Sequence, residues 1–193
     1  MVLIDEFNRG NIPKIFGELI TLIEKDKRGV TVQLPQSRAN FSVPANVYIV
    51  GTMNTADRSI HLLDSALRRR FQFIELLPDS DLLEGNNVDA LALDTFLDGL
   101  NEEIRKRFGR DKQIGHALFY QNGEIINTPE DFASVFLYEL LPLLQEYLYD
   151  DYRALGELLG GVIDVEAQRV ADIASDPQAL CAELASKFGS ASA

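Results

Sequence analysis

The chain has 193 residues, 46% hydrophobic and 25% charged, and its 18 basic and 30 acidic side chains give a net charge of −12. A surface of that sign repels phosphate backbones, which disfavours direct binding of nucleic acid. No apolar run reaches the roughly 20 residues of a membrane-spanning helix, and the N-terminus lacks the pattern of a secretory signal, so we expect a cytoplasmic protein with no membrane association. The single cysteine, Cys181, cannot form an internal disulfide and is interpreted as a structural residue.

The first 78 residues alternate strand-like and helix-like segments. Residues 2–4 form a short apolar run, and residues 11–24 repeat apolar side chains at the spacing of one amphipathic helix. Residues 30–44 predict a hairpin, because VTVQL alternates and PQSRAN favours a turn. The pattern further predicts a strand buried on both faces at 47–50, a short helix at 59–69 and a third strand at 71–76. Strands separated by helices imply an α/β layer with a parallel sheet.

Residues 79–193 are predicted to be all-helical, with an extended piece at 114–120 as an open alternative. Apolar side chains keep helical spacing over 91–108 and again over 129–149, where Pro142 predicts a kink or a restart. One or two further helices are expected over 165–188, broken near Asp176 and Pro177. The chain therefore divides into an α/β part, 1–78, and a helical lid, 79–193, whose GSASA ending should fray.

An Asp–Glu pair, Asp5 and Glu6, directly follows the first predicted strand. The carboxyl ends of parallel strands face the ligand crevice of an α/β sheet. There an Asp can hold Mg²⁺ through its water shell, and a Glu can orient or deprotonate an attacking water. A solvated acidic turn explains the same pair and stays an alternative.

The segment GTMNTADRS follows the predicted strand at 47–50 and carries Asn54 and Asp57. An Asn just past a buried strand can hydrogen-bond both a water and a phosphate, and Asp57 adds an acceptor to the same loop. A turn with capping of the next helix explains Gly51 and Asp57 equally well. It leaves Asn54 unexplained.

Three consecutive arginines, Arg68, Arg69 and Arg70, end the predicted helix of LLDSALRRRF. Cations at the C-terminal end of a helix gain less than about 1 kcal/mol from its dipole, which does not call for three in a row. Exposed arginines in this position suit an arginine finger presented to the phosphate of a neighbouring subunit.

The order of IDEFNRGNIPKIFGELITLIE, VPANVYIVGTMNTADRSIHLLDSALRRRF and QIGHALFY resembles the AAA+ motor subunit of McrBC-type, 5-methylcytosine-specific restriction systems. The similarity is strong over 1–77 and looser over 113–160, and MNTADRS is its most specific part. It implies the C-terminal half of an AAA+ P-loop NTPase core, with the Walker B strand at 2–4, the sensor 1 strand at 47–50, strand 5 of the family at 71–76 and a pre-sensor 1 hairpin at 30–44. An all-α lid would follow.

The resemblance also implies a role for each matching residue. Asp5 would be the Walker B magnesium ligand, Glu6 the catalytic glutamate, Asn54 sensor 1 in contact with nucleotide, and Asp57 a further acidic residue of the hydrolysis loop. Arg68 and Arg69 lie where trans-acting arginines are expected, with Arg70 an open alternative. His116 lies near the sensor 2 position, where a purely packing role is the alternative.

The implied cofactors are Mg²⁺ and GTP, with ATP as the alternative, and the implied assembly is a ring, expected to be a hexamer of AAA+ subunits. An McrC-like endonuclease subunit would be the partner, and DNA would be engaged only indirectly. Two other interpretations remain: a non-hydrolysing regulatory protein that docks on an AAA+ ring, and a fragment of a MoxR-like AAA+ ATPase.

The chain contains no Gly-Lys dipeptide and therefore no P-loop of the form G-x-x-x-x-G-K-[ST]. By the resemblance, the strand that precedes the P-loop lies between the sensor 1 strand and strand 5. We therefore interpret the sequence as a fragment, a truncated frame or a split gene product. We expect strand 5 to lack a pairing partner, the core half to be looser than the lid, and the chain alone to leave GTP intact.

Overall fold

The computed structural model describes residues 1–17, 19–54 and 65–189. The chain divides into two compact units, Met1–Glu75 and Leu76–Ala193. The helices are α1 Ile12–Phe16, α2 Leu19–Leu22, α3 Ser65–Arg68, α4 Leu93–Phe108, α5 Pro129–Val135, α6 Leu141–Tyr147, α7 Tyr152–Leu159 and α8 Pro177–Phe188. The strands are β1 Val2–Ile4, β2 Val32–Gln33, β3 Asn40–Phe41, β4 Ile49–Gly51, β5 Asn87–Val88, β6 Leu91–Ala92, β7 Tyr120–Gln121, β8 Glu124–Ile125, β9 Ile163–Asp164 and β10 Arg169–Val170.

In the first unit, β1 and β4 pair in parallel, with Leu3 opposite Val50. This confirms the two predicted strands and their parallel arrangement. The prediction that the second strand is buried on both faces is wrong, because Val50 is 44% exposed and Leu3 is 64% exposed. Among the described residues this sheet has only two strands, so its faces are only partly covered.

The predicted hairpin is confirmed, since β2 and β3 pair antiparallel. The single helix predicted over 11–24 is wrong. The chain forms two short helices, α1 and α2, and Gly17 after α1 has a φ of +48° and donates its N–H to the carbonyl of Pro13. A glycine can adopt this positive φ without steric cost, and it ends the first helix where the apolar periodicity continues.

The third strand predicted at 71–76 is also wrong, because this segment has no regular secondary structure. A strand exchanges hydrogen bonds with a neighbouring strand, and the described strands of the first unit pair with one another, β1 with β4 and β2 with β3. Phe73 is 46% exposed and Ile74 81% exposed. Of the helix predicted at 59–69, α3 covers the end, and 59–64 lie outside the described residues.

The core of the second unit is built around α4. Its inward residues Phe96, Leu97, Leu100 and Ile104 have no exposed surface, as the helical spacing predicts. The ring of Phe96 makes edge-to-face contacts with Phe119, Phe132 and Phe188, at centroid distances of 6.1, 5.5 and 5.3 Å. Aromatic pairs in this geometry add to the stabilisation that burial supplies.

The prediction of an all-α lid needs correction, because the described part of the second unit also contains three hairpins, each formed by a pair of two-residue strands: β5–β6, β7–β8 and β9–β10. The open alternative of an extended piece at 114–120 resolves into a 3₁₀ turn, His116–Phe119, followed by β7. Between β7 and β8, Asn122 and Gly123 both have positive φ, at 53° and 86°. The Asn-Gly pair is a strong hairpin signal. The prediction followed the helical spacing of apolar residues in this region instead and therefore missed the hairpin.

Both predicted helix breaks are confirmed. A π-helical turn, Phe136–Leu140, separates α5 from α6, and Pro142 lies in the first turn of α6. A proline has no N–H to donate and crowds the preceding turn, which favours a restart there. The Asp176 side chain accepts hydrogen bonds from the N–H groups of Gln178 and Ala179 and so caps α8.

Candidate functional site

The turns that follow β1 and β4 lie at the same edge of the parallel pair. Asp5 and Glu6 come directly after β1, whereas Thr52 and Asn54 follow β4. This is the carboxyl edge of the sheet, where open α/β sheets bind their ligands. The structure thus brings together three predicted site residues, Asp5, Glu6 and Asn54.

Thr52 joins the two turns. Its N–H donates to the carbonyl of Ile4 at 3.0 Å, and its own carbonyl accepts from the N–H of Phe7 at 2.7 Å. Its hydroxyl donates to Asp5 Oδ1 and accepts from the N–H of Glu6 at 3.1 Å. The turn that carries both carboxylates is therefore tied to Thr52 through main chain and side chain alike.

Glu6 has a left-handed main chain, with φ 50° and ψ 48°. This conformation is costly for a residue with a side chain and persists only where surrounding contacts hold it. The Glu6 carboxylate pairs with Arg9 at 2.9 Å, and both side chains are more than half exposed. An exposed pair of this kind contributes little to stability and leaves the carboxylate accessible.

Asn8 lies beneath the turns and is only 8% exposed. Its amide Nδ2 donates to the carbonyl of Asn54 at 3.0 Å, while its Oδ1 has no hydrogen-bond partner within the described ranges. Beside it, Phe7 packs edge-on against Phe71 at 5.1 Å and lies over Gly51, where a Cβ atom would come within 3.1 Å of the Phe7 ring. Sequence reasoning missed both Asn8 and Thr52, although each lies two residues from a predicted site residue.

The three consecutive arginines have different surroundings. The guanidinium of Arg68 lies 5.9 Å from the ring centroid of Phe73. Arg70 is largely buried and pairs with Glu24 at 2.5 Å. Arg69 is exposed and, with Arg70 and Glu24, borders an open cavity of about 600 Å³. Arg70 thus has a structural ion pair within its own unit.

The remaining predicted site residues lie elsewhere. Asp57 lies outside the described residues. His116, in the second unit, is partly buried, and its Nδ1 accepts a hydrogen bond from the N–H of Asp79 at 3.1 Å. The ring also meets Tyr120 edge-on at 6.4 Å. With Nδ1 used as an acceptor, Nε2 carries the proton of the neutral ring and is its remaining donor.

The donor chemistry at the carboxyl edge fits Mg²⁺. Mg²⁺ keeps several waters and is held by one or two carboxylates together with substrate phosphates, not by an all-protein cage. Asp5 supplies an exposed carboxylate of this kind. The described residues hold no group of three or more His, Cys, Asp or Glu side chains suited to a metal ion.

None of the helices in the described part of the chain is long and apolar enough to cross a membrane.

Comparison with known proteins agrees with this architecture. Residues 1–71 match the family described as AAA domain (dynein-related subfamily), and residues 92–156 match McrB, alpha-helical lid domain. Fold and comparison together define an AAA domain followed by a helical lid.

Two curated relatives make the assignment more specific. The chain is 39% identical over 168 residues to the Type IV methyl-directed restriction enzyme EcoKMcrB subunit of Escherichia coli (strain K12), an alignment covering 77% of this chain. It is 28% identical over 174 residues to the Type II restriction enzyme BsuMI component YdiS of Bacillus subtilis (strain 168), again over 77% of this chain. The chain belongs to the McrB-like AAA proteins. The alignments span 37% and 49% of these two relatives.

Proposed function

We propose that this chain supplies the water-activating part of a nucleoside triphosphate hydrolysis site in the AAA+ motor of a methylation-dependent restriction system. The observation that carries the proposal is the convergence of Asp5, Glu6 and Asn54 at the carboxyl edge of the β1–β4 pair. The similarity to a methyl-directed restriction enzyme subunit supports the biological setting.

In this proposal each residue has a distinct task. Asp5 would hold Mg²⁺ through the water shell of the ion, and the bound ion would supply positive charge that neutralises the phosphates. Glu6 orients and deprotonates the attacking water. Asn54 hydrogen-bonds that water and the terminal phosphate, with Asp57 as a further acceptor in the same loop.

The phosphate-binding loop comes from polypeptide outside these 193 residues, since their sequence has no G-x-x-x-x-G-K-[ST]. The nucleotide is GTP, with ATP as the alternative, and His116 is the candidate for the sensor 2 residue of the lid. Arg68 and Arg69 act on the site of the next subunit in a ring, for which we propose a hexamer. An McrC-like endonuclease subunit is the proposed partner, and DNA is engaged through other parts of the assembly.

The test uses the assembled motor, in which this chain is joined by the polypeptide that carries the phosphate-binding loop. Steady-state GTP and ATP hydrolysis are measured for wild type, Glu6→Gln and Asp5→Asn, with the exposed Glu166→Gln in the second unit as the matched control. We expect Glu6→Gln to lower kcat by about 10²–10⁴-fold, the usual contribution of a general base. We expect the control to match wild type. Unchanged turnover by Glu6→Gln would refute the proposal.

The arginines are tested by mixing subunits. Arg68→Ala and Arg69→Ala should each lower kcat, by up to about 10³-fold for the arginine that contacts the phosphate. Because a trans-acting arginine and Glu6 belong to different sites, subunits with Arg69→Ala mixed with Glu6→Gln subunits should recover part of the activity. The same mixture is made with Arg68→Ala subunits. If neither the Arg68→Ala nor the Arg69→Ala mixture recovers activity, a role in trans is contradicted.

A further inference from the structure

The Thr52 hydroxyl touches both acidic residues of the candidate site at once. It has one proton and donates it to Asp5 Oδ1, and it accepts the main-chain N–H of Glu6 at 3.1 Å. Because the Glu6 N–H cannot accept, the hydroxyl proton can only be directed at Asp5. The direction of the hydrogen bond is therefore fixed by the arrangement itself.

We propose that Thr52 is a positioning residue that sets the Asp5 carboxylate and the left-handed turn at Glu6 as one unit. This inference rests on the proposed function. A carboxylate that accepts a hydrogen bond from Thr52 through Oδ1 has a restricted rotation and keeps Oδ2 available for the water shell of a divalent cation. The bond to the Glu6 N–H holds that residue at φ 50°, a conformation that needs external support.

Thr52 is itself held firmly enough to act in this way. Its main chain bonds to Ile4 on one side and to Phe7 on the other, at 3.0 and 2.7 Å. The bond to Ile4 continues the register of the β1–β4 pair, in which Ile4 lies opposite Gly51, whereas the bond to Phe7 lies one residue beyond that register. A β-branched side chain at this position has few rotamers, so the hydroxyl is directed at Asp5 before any ligand binds.

The experiment separates the hydroxyl from the bulk of the side chain. In the assembled motor, Thr52→Val removes the hydroxyl and keeps the shape, Thr52→Ala removes both the hydroxyl and the branch, and Thr52→Ser keeps the hydroxyl. Thr31→Val, at an exposed threonine before β2, is the matched control. For each variant, kcat, nucleotide KM and the Mg²⁺ concentration for half-maximal turnover are measured, together with the midpoint of thermal unfolding.

For Thr52→Val and Thr52→Ala we expect kcat to fall about tenfold and the required Mg²⁺ concentration to rise about tenfold, consistent with loss of one hydrogen bond to a charged group. Nucleotide KM should stay within about twofold, because most of the phosphate grip lies on the P-loop. Thr52→Ser should restore wild-type Mg²⁺ dependence, whereas a merely structural role would shift only the unfolding midpoint. An unchanged Mg²⁺ requirement in Thr52→Val, or Thr52→Ser as impaired as Thr52→Val, would overturn the inference.

Failure of this inference can be told from failure of the proposed function. If Glu6→Gln abolishes turnover while Thr52→Val matches wild type in kcat and Mg²⁺ dependence, the hydrolysis site stands and the role of Thr52 is rejected. If Glu6→Gln and Asp5→Asn both leave turnover intact, the site itself is wrong, and with it any positioning role of Thr52.

Discussion

The side-chain amide of Asn8 donates to the main-chain carbonyl of Asn54 across 3.0 Å and so joins the turn after β1 to the turn after β4. The two residues are 46 positions apart in the chain. This bond is partly buried, because Asn8 is only 8% exposed whereas Asn54 is exposed, and breaking it would leave the largely buried Asn8 amide without this partner.

We predict that Asn8→Asp lowers kcat for nucleotide hydrolysis in the assembled motor by about tenfold or more, because an ionised carboxylate cannot donate to the Asn54 carbonyl and repels it. Asn8→Ala should have a smaller effect in the same direction. Steady-state kinetics provide the measurement, with the exposed Asn46→Ala of the same unit as control. Wild-type kcat in both Asn8 variants would mean that this bond does not position Asn54.

Gly51→Ala tests the close approach of Phe7 to the end of β4. A Cβ atom would lie 3.1 Å from Phe7 Cγ, closer than ordinary van der Waals contact. Overpacking of this kind costs about 1–3 kcal/mol, and we expect a loss of unfolding free energy in that range. Denaturant unfolding monitored in the first unit provides the measurement. Gly115→Ala is the control, since a Cβ there meets nothing within 4 Å; equal midpoints for the two variants would contradict the prediction.

Asn101→Ala tests a buried hydrogen-bond pair in the second unit. The Asn101 side chain, 4% exposed, donates to the Ile114 carbonyl at 2.9 Å and accepts from the Ile114 N–H at 2.6 Å. Removing it leaves two buried main-chain groups unpaired, at about 1–3 kcal/mol each. We expect the unfolding midpoint to fall accordingly, and the segment up to His116 to lose hydrogen-exchange protection. The exposed Asn127→Ala should leave both measurements unchanged.

We predict that the protein loses stability at alkaline pH because the pKa of the buried Cys181 thiol is raised. Burial, with help from the charges of Asp89 and Glu130, raises its pKa to about 12. The pKa of a thiol in an unfolded chain is about 8.5. The stability that the protonated, buried thiol contributes is therefore fully present below about pH 8.5 and is lost as the pH rises towards 12. At pH 10 the loss amounts to about 1–2 kcal/mol relative to pH 8.

Denaturant unfolding of wild type and Cys181→Ala at pH 8 and pH 10 checks this prediction. The variant lacks the ionisable thiol, so the difference in unfolding free energy between the two proteins should shrink by about 1–2 kcal/mol at the higher pH. Burial and the charge of Glu146 also raise the pKa of Tyr147, and that effect is common to both proteins and cancels. A difference that does not change with pH would contradict the prediction.

Sequence patterns predicted best where the cause is local. The apolar face of α4, the restart at Pro142 and the helix break near Asp176 each depend on residues within a few positions of one another. Patterns were misleading where a local signal competed with periodicity. Gly17 ended a helix that the apolar spacing continues, and Asn122–Gly123 formed a hairpin inside a region predicted to be helical.

The third predicted strand illustrates a different limit. Residues 71–76 have the apolar composition of a strand, but strand formation depends on a hydrogen-bonding neighbour that composition does not provide. The described strands of the first unit pair as β1–β4 and β2–β3 and do not include this segment, in which Ile74 is 81% exposed. Whether an apolar segment forms a strand therefore depends on its pairing partners as much as on its own residues.

By itself, the sequence identified the candidate site residues: acidic side chains directly after one strand, an asparagine after the next, and arginines at the end of a short helix. These residues lie in short contiguous motifs, which can be recognised from the sequence without a structure. Only the tertiary structure decided that the Thr52 hydroxyl donates to Asp5 and the Asn8 amide to Asn54, contacts that span 47 and 46 residues. Such contacts follow from the register of β1 against β4 and from the left-handed turn at Glu6, which no stretch of neighbouring residues encodes.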